Sequence, residues 1–146
     1  MQKATFLERV IAFVIDGVIL SIVGGIAGAI FSVLGALISG DGSNGTMVMV
    51  GSLLSLVGSL VQLVIYIAYD IYFWTNKNGQ TPGKMIMKIK VVTVEGNALT
   101  VGNSVMRVIG YFVSSFVCMI GYLWPLFDKD QQAWHDKIAK TYVVKA

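Results

Sequence analysis

The chain has 146 residues, enough for one domain. Hydrophobic residues make up 55% and charged residues 13%, with a mean hydropathy of +0.73; soluble domains carry about 25% charged residues, so lipid is the main solvent and a soluble globular enzyme is excluded. The net charge of +3 comes from lysines scattered along loops, without the basic stripe interleaved with aromatics that nucleic-acid binding requires.

The first apolar segment runs over about 10–38, interrupted only by Asp16. A spanning helix needs roughly 20 apolar residues, and a signal-peptide core only about 7–15, so this segment reads as an uncleaved span. Gly17, Ser21, Gly24, Gly28, Ser32, Gly35 and Ser39 recur at steps of three and four, forming a stripe of small residues with a Gly24-x-x-x-Gly28 pair. Such stripes let helix backbones approach closely in lipid, so Gly24 and Gly28 are candidate helix-packing positions. The polar connector Ser39 to Thr46 has the glycines and Asx residues of a tight turn.

The second segment covers about 47–73, so the first two spans form a helical hairpin. It presents Ser52, Ser55, Ser59, Gln62, Tyr66 and Tyr69/Asp70 on one face, a polar seam ending in a carboxylate. The 74–104 loop follows, with turn signals at Asn78-Gly79, Thr81-Pro82-Gly83 and Glu95-Gly96-Asn97, and a strand pattern over Ile86 to Val94. The stretch from Gly79 to Lys84 is not a phosphate-binding loop: the spacing is one residue short and Met85 follows the lysine. It reads as a turn feeding a strand, with Lys84 directed at lipid phosphates or a carboxylate.

The third segment, about 105–127, repeats the striping with Arg107, Gly110, Ser114, Cys118 and Gly121. Cys118 is the only cysteine, so no disulfide forms within the chain. The tail holds Lys129, Lys137, Lys140 and Lys145 and a second strand pattern over 141–145. Lysine and arginine counts place the amino terminus and the 74–104 loop in the cytoplasm. A re-entrant or broken third segment, with Gly110, Gly121 and Pro125 as break points, keeps the tail lysines there too and lets the two strands pair; a full crossing would put the tail outside. Trp74, Trp124, Trp134, Tyr72 and Tyr122 flank the apolar runs and read as interfacial anchors. His135, the only histidine, reads as a packed structural residue.

The fold expected is an all-α membrane domain with a small cytoplasmic β-element, multi-pass in the cell membrane. A carboxylate at mid-span costs about 2.5–3.5 kcal/mol, so Asp16 needs a partner or water. Arg9 shares its face but lies about 10 Å away along the helix, too far for direct contact without a group between, and Arg107 is the natural second candidate. Arg9, Asp16, Asp70 and Arg107 then gather into one cluster of two acids and two bases, readable as a proton or cation site or as an ion-pair network that fixes helix register.

These residues resemble the RDD family of small membrane proteins, named for one arginine and two aspartates. The resemblance rests on Glu8-Arg9 to Asp16, on Gly79-Gln80-Thr81-Pro82-Gly83-Lys84 with the following strand, on Gly96 and Arg107, and on His135-Asp136 with Thr141-x-Val143-Val144. It carries the family's second aspartate to Asp136. It also implies activity of the kind some members resemble, sodium–proton antiport, with a sodium ion or proton as cargo and no cofactor. One departure is the short third segment. Two function classes stand. The first is cation–proton transport through Arg9, Asp16, Asp70, Arg107 and Asp136, with Gln62 and Tyr66 on the route and a homo-oligomer joined through Gly24/Gly28. The second is a non-transporting scaffold or accessory subunit in which the Arg/Asp set is structural. An enzyme is not expected, since no nucleophile–base set is visible.

Overall fold

Two helices, α1 (Phe6–Ser39) and α2 (Gly45–Asn76), dominate the computed structural model, which describes residues 1–117 and 120–146. At 1.5 Å per residue their 34 and 32 residues are each about 50 Å long, against a hydrocarbon core of about 30 Å. The surplus explains how both helices contribute to two units. One comprises Gly17–Ala68; the other comprises Met1–Asp16 with Tyr69–Ala146. The helical parts of the first unit are each about 35 Å long, a span's length. Of the chain's 11 basic and 8 acidic residues that unit holds only Asp41, in the connector.

Within the Gly17–Ala68 unit the hairpin closes on glycines. A β-carbon on Gly35 would lie 2.6 Å from the Gly51 carbonyl oxygen and from Ser55 Oγ, and one on Gly58 would strike Phe31. Gly24 faces Tyr66 and Gln62, whose nearest atoms would be 2.8 and 3.1 Å from a β-carbon there, and Gly28 faces Gln62 Oε1 at 3.0 Å. Gly24, Gly28 and Gly35 of the stripe therefore face α2 of the same chain. At Gly24 and Gly28 this corrects the expectation of a contact between copies, because α2 occupies the space beside them.

In the second unit the short helix α3 (Pro82–Ile86) precedes β1 (Ile89–Thr93), and β2 (Thr141–Lys145) pairs with β1 antiparallel, Val91 opposite Val143. The tail strand lies where the sequence places it. The loop strand is shorter than predicted: proline in the first turn starts a helix over 82–86, and Lys88 turns the chain at φ 53° before the strand begins. The amino end docks on the other edge of β2, through a bridge between Lys3 and Val144 and an Ala4 N–H donated to the Val143 carbonyl at 2.9 Å. Amino end, loop and tail are thus hydrogen-bonded together, and β2 exposes neither edge.

The third apolar segment forms α4 (Val101–Phe116), α5 (Ile120–Leu123) and a 3₁₀ turn (Trp124–Leu126). A reciprocal Thr100–Asn103 capping box starts α4. The axes of α4 and the later pair differ by 112°, so the segment is broken, as expected. Arg107, Gly110, Ser114 and Gly121 of the predicted stripe are buried; Cys118 lies outside the described residues. Of the predicted interfacial anchors, Trp74 is instead wholly buried, its ring 5.0 Å from the Arg107 guanidinium and 5.8 Å from Tyr111.

Candidate functional site

The expected cluster of Arg9, Asp16, Asp70 and Arg107 does not form; the charged groups fall into two halves, one built on Asp136 and one on Asp16. The first centres on Asp136 in α6 (Trp134–Ile138), which is 0% exposed. Arg9 donates to Asp136 Oδ2 at 2.9 Å, Arg107 donates to Oδ1, and the Ala133 N–H donates to Oδ2 at 3.1 Å. Each arginine also binds a strand: Arg107 reaches Thr141 Oγ1 at 2.6 Å, and Arg9 the Val143 carbonyl at 3.4 Å and the Ala4 carbonyl at 3.3 Å. One carboxylate thereby ties α1, α4, α6 and β2 together. Burial alone would push the Asp136 carboxyl up; the charges of Arg107 and Arg9 and the Ala133 N–H overcome that and hold it at about 2, so it stays ionised.

Next to it, His135 packs its ring 4.3 Å from Tyr111 and 5.7 Å from Tyr122, over Gly110, where a β-carbon would lie 2.5 Å from the His135 Cα. Burial pushes the imidazole down to about 3 despite the neighbouring Asp136 charge, so it is neutral at physiological pH. The packed structural role expected of His135 is what the geometry shows.

The second half centres on Asp16, 7% exposed. Its carboxylate accepts from Tyr69 at 2.9 Å, from the Gly83 N–H at 2.8 Å and from Thr81 Oγ1. Lys84 lies 4.0 Å away, held by a 3.3 Å hydrogen bond to Thr81 and 5.7 Å from the Trp74 ring. Arg107 is therefore not the partner of Asp16; the Thr81–Lys84 loop is. That loop reaches the helix because Gly83 has no side chain: a β-carbon there would collide with the Ala12 carbonyl and lie 2.9 Å from Asp16 Cγ. Of the two targets expected for Lys84, the structure shows the carboxylate; burial lowers its pKa against the opposing charges of Asp70 and Asp16.

The remaining candidates are separate from both halves. Asp70 makes no hydrogen bond or ion pair among the described residues, though its charge acts on Lys84. Gln62 donates to the Tyr66 hydroxyl at 2.9 Å inside the hairpin unit. Ser52, Ser55 and Ser59 donate to carbonyls four residues back in their own helix, at 2.8, 3.1 and 3.2 Å. The predicted seam is therefore largely satisfied within α2. Tyr69, Tyr111, Trp74 and Thr141 are site residues that sequence reasoning misses. Tyr69 stands in the seam beside Asp70, and the buried faces of the others follow from pairings between distant segments.

Beside both halves lies a cavity of about 410 Å³ whose wall includes Arg9, Lys84, Arg107 and His135. Among the described residues no group of three His, Cys, Asp or Glu side chains could hold a metal ion.

Two apolar helices long enough to cross a bilayer, in a chain whose two arginines close on one aspartate, Asp136, define a membrane protein. The chain belongs to the RDD family, whose model matches residues 3–140. Among its relatives, the uncharacterised protein YxaI of Bacillus subtilis is 30% identical over 99% of each chain. The proline-rich antigen homolog of Mycobacterium tuberculosis is 32% identical over 62% of this chain and 40% of its own, and the proline-rich antigen of Mycobacterium leprae 35% identical over 52% and 31%. The chain thus spans less than half the length of the mycobacterial relatives. No solved structure matches it.

Proposed function

We propose that the chain is a non-transporting membrane module, an anchor or accessory subunit whose Arg/Asp set is structural. The observation that carries this is the saturation of both family aspartates: Asp16 and Asp136 each accept three hydrogen bonds from groups fixed by the fold. A carboxylate that exchanges cargo needs a free oxygen and a change of protonation, and Asp136 is held well below the range where it would take a proton. Relatives in which the matching region is under half of a longer chain suit a module that serves attached parts.

A second reading, sodium–proton exchange, is favoured by one observation: Asp70 is a carboxylate without a hydrogen-bond partner among the described residues, close enough to Lys84 to influence it. One preparation separates the two. Proteoliposomes are assayed for sodium flux driven by a pH gradient, and the same protein is melted in detergent. The structural reading expects no flux and a lowered melting temperature for Asp16→Asn; sodium flux that Asp70→Asn abolishes would replace it with transport.

We further propose an arrangement in the membrane that the same contacts support. We place the amino end, the 74–104 loop and the tail on the cytoplasmic side, on the strength of their lysines and their shared sheet. Labelling of a cysteine near Ala146 in a Cys118-free background should occur only after the inner face is opened.

A further inference from the structure

The cavity beside the clasp has a composition that the clasp does not explain. Among the described residues its wall carries three cations, Arg9, Lys84 and Arg107, and no acidic residue. Asp136 alone is shared by the two arginines, and the three donors that saturate Asp16 leave Lys84 at 4.0 Å. Two buried donor-capable groups of wall residues, Arg107 Nε and His135 Nδ1, have no hydrogen-bond partner among the described residues; the two residues are 1% and 8% exposed. Unpartnered buried polar groups cost free energy that a ligand would recover. The rest of the wall is largely apolar and includes Val10, Phe13 and Leu123. These are 37%, 65% and 48% exposed, and the first two lie on a helix long and apolar enough to span a membrane, so this side of the cavity offers an open apolar surface.

We propose that this cavity binds an anionic amphiphile, its phosphate-type headgroup against Arg9, Lys84 and Arg107 and its hydrocarbon chain along Val10, Phe13 and Leu123. A headgroup anion there neutralises the surplus cation and completes the unfilled hydrogen bonds. Basic pockets beside spanning helices suit acidic lipids in the same way. The apolar wall distinguishes the lipid from free phosphate, which would leave it unused.

The test is a lipid titration of the full-length protein in neutral detergent, read as a rise in melting temperature. Phosphatidylglycerol should half-saturate the shift at a concentration about tenfold lower than phosphatidylcholine, the worth of one charge-assisted hydrogen bond. Inorganic phosphate should give no comparable shift. Lys84→Gln should remove most of the headgroup preference. Val10→Trp, which places bulk on an exposed wall position and leaves the clasp alone, should weaken phosphatidylglycerol about as much. Equal half-saturation by the two lipids overturns the proposal, as does a phosphate shift matching that of phosphatidylglycerol. If Lys84→Gln fails to fold, Val10→Trp decides: unchanged phosphatidylglycerol binding in that variant places the lipid elsewhere and overturns the site.

Discussion

Between Gly17 and Ala68, the buried positions among the described residues are all glycines: Gly24, Gly35, Gly51 and Gly58. In the other unit, burial falls on large and polar side chains alike, with Trp74, Ile89, Val91, Arg107 and Asp136 each under 2% exposed. The two regions solve different solvation problems. In lipid, apolar side chains gain nothing by leaving the surface, so the hairpin turns Ile22, Ile26, Leu53 and Leu60 outward and coheres by backbone approach at glycines. The end unit buries apolar strands, as a water-exposed domain does, and adds an ionic clasp across segments far apart in the chain. The hairpin is thus held by what it lacks, side-chain volume, and the end unit by what it contains.

The sharpest way to break that contrast is to remove the clasp. Asp136→Ala leaves Arg9 and Arg107 facing each other in a buried site, at a cost of about 3–5 kcal/mol. Protease sensitivity of the 77–104 loop and the tail should rise sharply, while far-ultraviolet circular dichroism retains the hairpin helices. Loss of the hairpin signal at the same temperature would mean that the two units melt as one.

A smaller effect of the same kind is expected from pH. His135 titrates at about 3 when folded and at about 6.5 when unfolded. Between those values the unfolded state binds the extra proton, so the stabilisation is present above pH 6.5 and is lost as pH falls below it. Moving from about pH 7.5 to about pH 5, His135 should contribute a cost of about 2 kcal/mol, measured as the difference between the protein and His135→Gln in the fall of the denaturation midpoint of this unit. His135→Gln should flatten the dependence, and the hairpin, which has no histidine, should not share it.

How much of the molecule is legible in sequence follows the same division. Much of the hairpin can be read, because a stripe of small residues at three- and four-residue steps is a local pattern: Gly35, which belongs to it, lies at the crossing with α2. What the stripe cannot say is which helix fills it, and the contact expected from a second copy is made by Gln62 and Tyr66 of α2. The strands β1 and β2 and the break in the third segment are also readable, from β-branched runs and from the lysines on the tail. The site is readable only as a set of residues. Arg9, Asp16, Arg107 and Asp136 stand out, but charge pairs Asp16 with Arg107 when its donors are Tyr69, Thr81 and Gly83. A backbone N–H and two hydroxyls carry no charge to notice. Trp74 looks like an interfacial anchor because its place at the end of a span is local, whereas its burial depends on Arg107 and Tyr111 from a segment more than 30 residues away.

Glycine substitutions sharpen the picture of the hairpin, with opposite signs inside one helix. At Gly17 nothing lies within 4 Å of an added methyl, so Gly17→Ala should stabilise by about 1 kcal/mol through helix propensity alone. At Gly35 the same methyl meets the Gly51 carbonyl at 2.6 Å, and overpacking of about 1–3 kcal/mol outweighs that gain. Gly35→Ala should therefore lower the stability of the hairpin by about 1 kcal/mol net, read from its denaturant midpoint. Stabilisation at both positions would show that the helices do not rely on the Gly35–Gly51 approach.

The smallest effect separates a seam that joins helices from one that merely lies on a helix. Ser59 donates its hydroxyl to the Ser55 carbonyl at 3.2 Å, a bond within α2 that slightly weakens the helix it sits on. Replacing it with alanine removes no contact between helices and restores a better helix former, so Ser59→Ala should change stability by less than about 0.5 kcal/mol. Ser55 differs, since its Oγ lies against Gly35 at the crossing, so Ser55→Ala opens space where the backbones touch. A loss above about 1 kcal/mol at Ser59, measured by the same denaturation, would mean that its hydroxyl serves a partner other than its own backbone. The seam would then be polar glue or a lined path, and the hairpin would depend, like the end unit, on side chains it contains.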